Sequence, residues 1–260
     1  MKKKNIIFFL PNFDVGGAAQ SITNTIINLN VKKYNLYIFC LGRCAYKKKL
    51  IKHKIKLFEI KKKRAILSFF QIKNIIVNMI EKTKLKTIFV SNINYANVLS
   101  LIFLSNITNL KIVTVDRTPI QELNYNYNNI LLFGKNLIIK YLIKYIYKKA
   151  NVRVGNSKTL SNDLSKFTKS KFYTIYPYSL KKILPFKKKI RKKNNIIKIF
   201  WIGRLSKEKS FMTLIKALAL IKNENINVKV FGDGPEKNKY LMNVKKLGLD
   251  KKIKFIGYKK

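Results

Sequence analysis

Short apolar runs rich in β-branched and aromatic residues alternate with segments of helical periodicity along most of this sequence. That alternation constrains the fold more than any other feature, because strands separated by helices become parallel neighbours in one sheet. Runs such as NIIFFL and IIKIFWI are almost continuously apolar, which is typical of strands with both faces of the sheet covered. We therefore predict the α/β fold class, with parallel sheets packed between helices.

The alternation is interrupted once. The interruption, KKILPFKKKIRKKNN, contains a proline and a dense run of positive charge, so we interpret residues 181–195 as an interdomain linker between domains 1–180 and 196–260. The predicted strands are 6–10, 36–41, 56–60, 87–91, 111–115, 152–154, 172–175, 197–202, 228–231 and 253–256. The predicted helices are 16–29, 66–81, 95–104, 130–149, 158–166, 211–222 and 236–247, and a polar loop is expected over 116–129.

The charge balance is extreme, with 56 Lys and Arg residues against 11 Asp and Glu and a formal net charge of +45. Such a surface attracts polyanions, namely nucleic acid, anionic lipid headgroups or phosphorylated substrates. Lys, Ile and Asn are frequent everywhere, however, so the base composition of an AT-rich genome explains the charge equally well. Because no segment alternates basic and aromatic residues as a base-stacking surface does, we predict no specific nucleic-acid binding.

Cysteine and histidine offer little for catalysis or metal binding. Cys40 and Cys44 are too few for a disulfide framework and have no histidine at metal-ligand spacing, so we interpret them as reduced structural thiols. His53 lies in the lysine-rich run IKHKIK and is expected on the surface. The N-terminal apolar run is too short for a signal peptide, and no uncharged run reaches the roughly 18 residues of a membrane span. We expect a cytoplasmic protein.

Two turns between a strand and a helix attract attention. In FFLPNFDVGGAAQ, Gly16 and Gly17 open a helix after the first strand, where unpaired amides can meet a phosphate or a sugar hydroxyl. A purely structural helix start explains them equally well, and the pattern is not the dinucleotide fingerprint GxGxxG. In GRLSKEKS, Arg204 and Lys209 follow a buried strand, beside Glu208. At the carboxyl end of such a strand they would face a ligand crevice, where a forked donor and a mobile cation suit a diphosphate.

Together these segments resemble a known family. The stretch IFWIGRLSKEKSFMTLIKALALI, with VKVFGDGPEKNKYLMNVKKLGL and IKFIGY after it, is similar to the start of the C-terminal domain of retaining GT-B-fold glycosyltransferases of family GT4. PNFDVGGAAQSITNTIINL, ANVRVGNSKTLSNDL and TIYPYSL resemble segments of that family's N-terminal domain, in the same order. The resemblance implies a GT-B-like chain of two Rossmann-like domains, the second incomplete.

The resemblance also implies roles for particular residues. Arg204 and Lys209 match the pair that neutralises the donor diphosphate, so no metal or other cofactor is expected. Gly16 and Gly17 would border the cleft in which donor sugar and acceptor meet. Where the family often has a histidine after the strand matching KIVTV, this chain has Asp116, Arg117 and Thr118, and Asp116 or Arg117 would take over the contact to the sugar. GDGPE is expected to be a structural turn with proline at the helix start.

This chain departs from the family's pattern at the E-x7-E motif. In the family the motif lies downstream of GDGP, whereas this chain ends at Lys260 before any such motif. The expectation is a truncated glycosyltransferase: a fragment, a frameshifted gene, or one part of a split enzyme. Its substrates would be a nucleotide diphosphate sugar and a glycan or lipid-linked acceptor. The alternatives are a non-catalytic remnant or basic membrane-surface protein and, from net charge alone, a nucleic-acid-binding protein.

The segment ILLFGKNLIIKYLIKYIYKKA, residues 130–150, is relevant to whether the protein contacts a membrane surface. Lys140, Lys144 and Lys148 form one stripe of a helix beside a wide apolar face. An ordinary helix packed on the sheet is the favoured interpretation, and peripheral contact with the anionic inner face of the cell membrane is compatible with it.

Overall fold

The computed structural model describes residues 3–60, 65–124, 130–178, 196–221 and 225–259. The chain forms two compact units, residues 1–183 and 184–260. The boundary between the units falls in the predicted linker 181–195, which itself lies outside the described residues.

Unit 1 is built on a seven-stranded parallel sheet with the strand order β3-β2-β1-β4-β5-β6-β7. Its strands are β1 (Lys4–Phe9), β2 (Tyr34–Leu41), β3 (Lys56–Ile60), β4 (Thr87–Asn92), β5 (Leu110–Asp116), β6 (Val152–Gly155) and β7 (Tyr173–Thr174). Its helices are α1 (Gly17–Ile27), α2 (Lys47–Lys52), α3 (Ala65–Thr83), α4 (Asn94–Leu104), α5 (Ile130–Ile146) and α6 (Lys158–Thr168). Single 3₁₀ turns lie at Ile120–Asn124 and Tyr147–Lys149.

Three details differ from the sequence-based prediction. Helix α2 was not predicted, because KKKLIK contains a single buried apolar residue, Leu50, and has no amphipathic period to detect. Only two residues of the predicted strand 172–175 pair with β6. The predicted helix 130–149 ends as an α-helix at Ile146, and its last turn tightens to 3₁₀ geometry, as helix ends often do.

Side chains of β1 alternate between two hydrophobic cores, as the period of two of a strand requires. Ile7 and Phe9 pack into the core formed with α3, α4, α5 and α6, while Ile6 and Phe8 contact the core formed with α1 and α2. The predicted cover of both sheet faces is therefore present at the centre of unit 1.

Unit 2 contains a three-stranded parallel sheet in the order β10-β9-β8. Its elements are β8 (Ile197–Ile202), α7 (Phe211–Leu220), β9 (Ile226–Phe231), α8 (Lys237–Lys246) and β10 (Ile253–Gly257). Phe211 fills the centre of this core, against Trp201 at 4.9 Å and Tyr240 at 5.3 Å between ring centroids. Helices α7 and α8 pack on one face only. The opposite face of β8, with Phe200 and Ile202, is exposed.

Candidate active site

The strand order of unit 1 reverses between β1 and β4, since the chain proceeds from β1 to one side through β2 and β3 and returns to the other through β4. In parallel α/β sheets ligands bind beyond the carboxyl ends of the strands at such a reversal. The segments that follow β1 and β4, residues 10–16 and 93–94, therefore define the candidate cleft of unit 1.

The predicted glycine turn follows β1. Gly16 is extended, α1 starts at Gly17, and a side chain added to either glycine would meet open space. The loop before them is fixed by its backbone, because the amide of Leu41 donates to the carbonyl of Pro11 at 2.8 Å and that of Ala45 to Phe13 at 3.0 Å. Neither glycine is needed for local geometry, so close approach of a ligand is one reason that remains for them.

The end of β4 and the residue after it are functional candidates that the sequence analysis missed. The amide of Asn92 donates from Nδ2 to the carbonyl of Phe9 at 3.1 Å, and its Oδ1 accepts a 3.1 Å hydrogen bond from Nε of Arg117. The next residue, Ile93, has φ +79°, a value that costs a β-branched residue about 1–3 kcal/mol. Strain of this kind is concentrated at functional sites. No sequence signal indicates it, because isoleucine normally avoids this conformation.

Arg117 is thereby held at the carboxyl edge of the sheet, where it lines a pocket of about 510 Å³. Burial lowers the pKa of its guanidinium group, although an arginine side chain stays charged in a protein. Asn92 and Asn156 also line this pocket, and each forms a hydrogen bond with Arg117. The floor is apolar and comes from the side chains of Phe8, Val90, Val113, Val115 and Val154. The pocket thus offers a cation and two amides beside an apolar surface.

Asp116 is in a different environment. It is the last residue of β5 rather than the first of a polar loop, and it is completely buried. Its Oδ1 accepts hydrogen bonds from the Tyr147 hydroxyl at 2.8 Å and from Nδ2 of Asn97 at 3.2 Å. Burial raises the pKa of Asp116 to about 7, against the lowering effect of both bonds. Of the two residues predicted to contact the sugar, the structure brings only Arg117 to a pocket.

In unit 2, Arg204 and Lys209 both lie exposed in the turn after β8. The turn closes through a 3₁₀ segment, Lys207–Lys209, and Ser210 in the left-handed region, after which α7 begins. Glu208 forms a salt bridge with neither cation among the described residues. Its carboxylate accepts a 2.6 Å bond from Oγ of Ser206, which is the main reason that its pKa is lowered, with smaller contributions from Arg204 and Lys209.

The turn after β9, with Gly232 and Gly234, supports the turn of Arg204. A Cβ atom at Gly232 would overlap the carbonyl oxygen of Gly203, and one at Gly234 would overlap that of Leu205. The amide of Leu205 donates to the carbonyl of Asp233 at 3.0 Å, and that of Glu236 donates to Leu205 at 3.0 Å. GDGP is therefore a structural turn, as predicted, and it supports the backbone that presents Arg204 and Lys209. The predicted proline at the helix start is wrong, because α8 begins at Lys237, two residues after Pro235.

The comparisons with known proteins concern the family and the fold. Residues 182–260 match the family model of glycosyl transferases group 1. No curated protein sequence matches the chain significantly.

Solved structures similar to this chain include the following three. HepE of Anabaena, solved with UDP and glucose, has a TM-score of 0.68 and 17% identity, over 99% of this chain and 70% of that one. The apo lipopolysaccharide outer core galactosyltransferase WaaB has a TM-score of 0.64 and 15% identity, over 98% of this chain and 68% of that one. A glycosyltransferase from Rickettsia africae has a TM-score of 0.63 and 18% identity, over 100% of this chain and 69% of that one. These likenesses establish the GT-B fold for this chain, and the matched family model supports a glycosyltransferase.

Proposed function

We propose that this chain takes part in the transfer of a sugar from a nucleotide diphosphate sugar to a glycan or lipid-linked acceptor, with retention of anomeric configuration. The observation that carries the proposal is the turn of Arg204 and Lys209 at the carboxyl end of β8, inside the region that matches the family model. HepE, which has a similar fold, was solved with UDP-glucose, and a donor of that class suits two exposed cations.

In the proposed chemistry Arg204 and Lys209 bind the donor diphosphate. Sugar departure leaves a further negative charge on the diphosphate, and cations fixed before the reaction stabilise that charge without reorganising. A guanidinium group donates two parallel hydrogen bonds to phosphate oxygens, while an ammonium group adds a mobile charge. We propose that these side chains suffice for donor binding without a metal ion.

Unit 1 would supply the contacts to the reacting sugar and to the acceptor. Arg117, held by Asn92, and the turn of Gly16 and Gly17, which has open space beside it, lie at the carboxyl edge of its sheet. We assign the sugar contact to Arg117. Asp116 would act as a positioning residue, because its buried carboxylate anchors the end of the strand on which Arg117 follows.

The proposal places the protein in the cytoplasm, with peripheral contact at the inner face of the cell membrane. Among the described residues, no helix has both the length and the apolar character needed to cross a bilayer. The competing proposal is a binding protein without catalytic activity, and the +45 net charge is the feature that favours it.

Calorimetry of the purified chain with UDP, GDP and their sugar conjugates tests the proposal. Arg204→Ala and Lys209→Ala should each weaken saturable binding, whereas Lys207→Ala, which removes a cation from the same turn, should leave it within about twofold. Excess EDTA should not change the affinity. A folded chain that binds none of these nucleotides, or that loses affinity equally in all three variants, would favour the protein without catalytic activity.

A further inference from the structure

An apolar groove separates helices α3, α4 and α5 on the surface of unit 1. It has a volume of about 710 Å³, and among the residues lining it Lys135 alone is charged. Ile66, Tyr95, Leu131 and Ile138 are among the apolar and aromatic residues that line it. Tyr95 lies in the first turn of α4, three residues after Asn92, so one part of the groove adjoins the carboxyl edge of the sheet.

The apolar surface continues beyond the groove. Leu131 is 82% exposed, Ile138 62% and Tyr141 63%, and Ile66 and Phe70 on α3 are also more than half exposed. Single exposed apolar side chains are common on soluble proteins, but contiguous ones on neighbouring helices mark a binding surface. The same helix α5 buries Ile143 in the core, and the 3₁₀ turn that follows it buries Tyr147, so α5 both packs on the domain and presents this surface.

Positive charge borders the exposed stripe of α5 on both sides. With 3.6 residues per turn, Leu131, Ile138, Tyr141 and Tyr145 form its centre, and Lys135 and Lys144 lie on opposite flanks. The ammonium group of Lys135 lies 5.9 Å from the ring centroid of Tyr95, and that of Lys144 lies 5.5 Å from Tyr145.

Acidic groups are scarce on the same surface. The described parts of α3, α4 and α5 carry one acidic residue, Glu81, which lies in the last turn of α3, at the opposite end from Ile66. An apolar centre with a positive border and almost no negative charge is complementary to an anionic lipid surface, since acyl chains meet the centre and phosphates meet the lysines.

We propose that the groove between α3, α4 and α5 binds the surface of an anionic bilayer, with Leu131, Ile138 and Tyr141 at acyl depth and Lys135 and Lys144 among the headgroups. The proposal deepens the peripheral membrane contact of the proposed function and names the surface that makes it. It also places the carboxyl edge of unit 1, with Arg117, near the membrane, where a lipid-linked acceptor would present its polar part.

Flotation with phosphatidylcholine vesicles, with and without phosphatidylglycerol, tests the proposal. The wild-type chain should float with the anionic vesicles, and Leu131→Asp/Ile138→Asp should lower its partition coefficient by about tenfold or more. Leu220→Asp/Met242→Asp is the matched control, because these side chains are 85% and 73% exposed on unit 2. Equal decreases of the partition coefficient in the two double variants would overturn the proposal, because binding would then depend on net charge and not on the groove.

The lysines and the depth of insertion are tested separately. Lys135→Gln/Lys144→Gln should reduce flotation more than Lys245→Gln/Lys246→Gln, which makes the same change of charge on α8.

Trp201 is the single tryptophan, so Ile138→Trp in a Trp201→Phe chain reports on the groove alone. Its emission should shift to the blue with anionic vesicles and be quenched by brominated acyl chains. A bound chain without a shift would overturn insertion. Titration of UDP into the groove variants keeps this outcome distinct from failure of the donor site in unit 2.

Discussion

The hydroxyl group of Tyr147 donates a 2.8 Å hydrogen bond to Oδ1 of Asp116 in the interior of unit 1, and neither side chain reaches solvent. Nδ2 of Asn97 donates to the same oxygen and also to the Tyr147 hydroxyl, at 3.2 Å in both cases. The second oxygen of Asp116 has no partner among the described residues. A carboxyl group so placed is only partly compensated for the loss of water, which explains why its pKa rises.

The first prediction concerns the pH dependence of stability. Because the pKa of Asp116 rises from 3.8 to about 7 on folding, its stabilising contribution is complete below about pH 4 and is lost as the pH rises through 7. The change amounts to about 4 kcal/mol at most. Asp116→Asn should remove this dependence, so the variant should gain stability relative to wild type between about pH 5 and pH 8. Urea unfolding across that range measures it.

A second variant makes that result specific. Tyr147→Phe removes a hydrogen bond that favours the charged carboxylate, so its loss of stability should be larger at about pH 8 than at about pH 5. Parallel curves of unfolding free energy against pH for wild type and Asp116→Asn would contradict the burial effect.

The second prediction concerns the support of the Arg204 turn. Gly234→Ala should destabilise unit 2 by about 1–3 kcal/mol or more, because the new methyl group would overlap the backbone of Leu205. Gly203→Ala is the matched control, since its Cβ approaches only the Trp201 ring, at 3.9 Å. Trp201 fluorescence follows unfolding of unit 2 directly. A Gly234→Ala chain as stable as Gly203→Ala would show that the two turns do not touch.

The third prediction separates charge from geometry at the donor site. Arg204→Lys keeps the cation but loses the forked donor, so affinity for UDP should fall by about tenfold. Lys209→Arg should change it much less, because a mobile point charge is replaced by another cation. Since both variants keep their charge, the dependence of affinity on salt should match that of the wild type. Arg204→Gln removes a charge, so its affinity should depend less on salt. Titration calorimetry at two salt concentrations decides between these outcomes.

The fourth prediction concerns the glycine turn of unit 1. Gly17→Ala should leave stability unchanged or raise it by up to about 1 kcal/mol, because the methyl group meets open space at a helix start. Gly155→Ala should destabilise the same unit, since its Cβ would overlap Ser161. If ligands approach the turn closely, Gly17→Ala should lower sugar-transfer activity at undiminished thermal stability. Full activity with unchanged stability would show that the glycines have no ligand role.

Local sequence patterns were sufficient to predict most of the strands and helices of the fold. The strands before Gly16 and before Gly203 were predictable because each is a nearly continuous apolar run, and because such runs are bounded by glycine or polar residues. The turn of Arg204 and Lys209 was predictable for the same reason, since the residues after a parallel strand fall at one known edge of the sheet.

Contacts between distant segments could be learned only from the tertiary structure. The sequence placed Asp116 in a polar loop, but β5 extends one residue further because its backbone pairs with Gly155, and the carboxylate turns into the core toward Tyr147. The link from Phe9 through Asn92 to Arg117 and the overlap of Gly234 with Leu205 join residues far apart in the chain. Periodicity and local propensity report which side of an element is apolar. Which residue lies opposite a given side chain is set by sheet order and packing, and these decided the environments of both candidate sites.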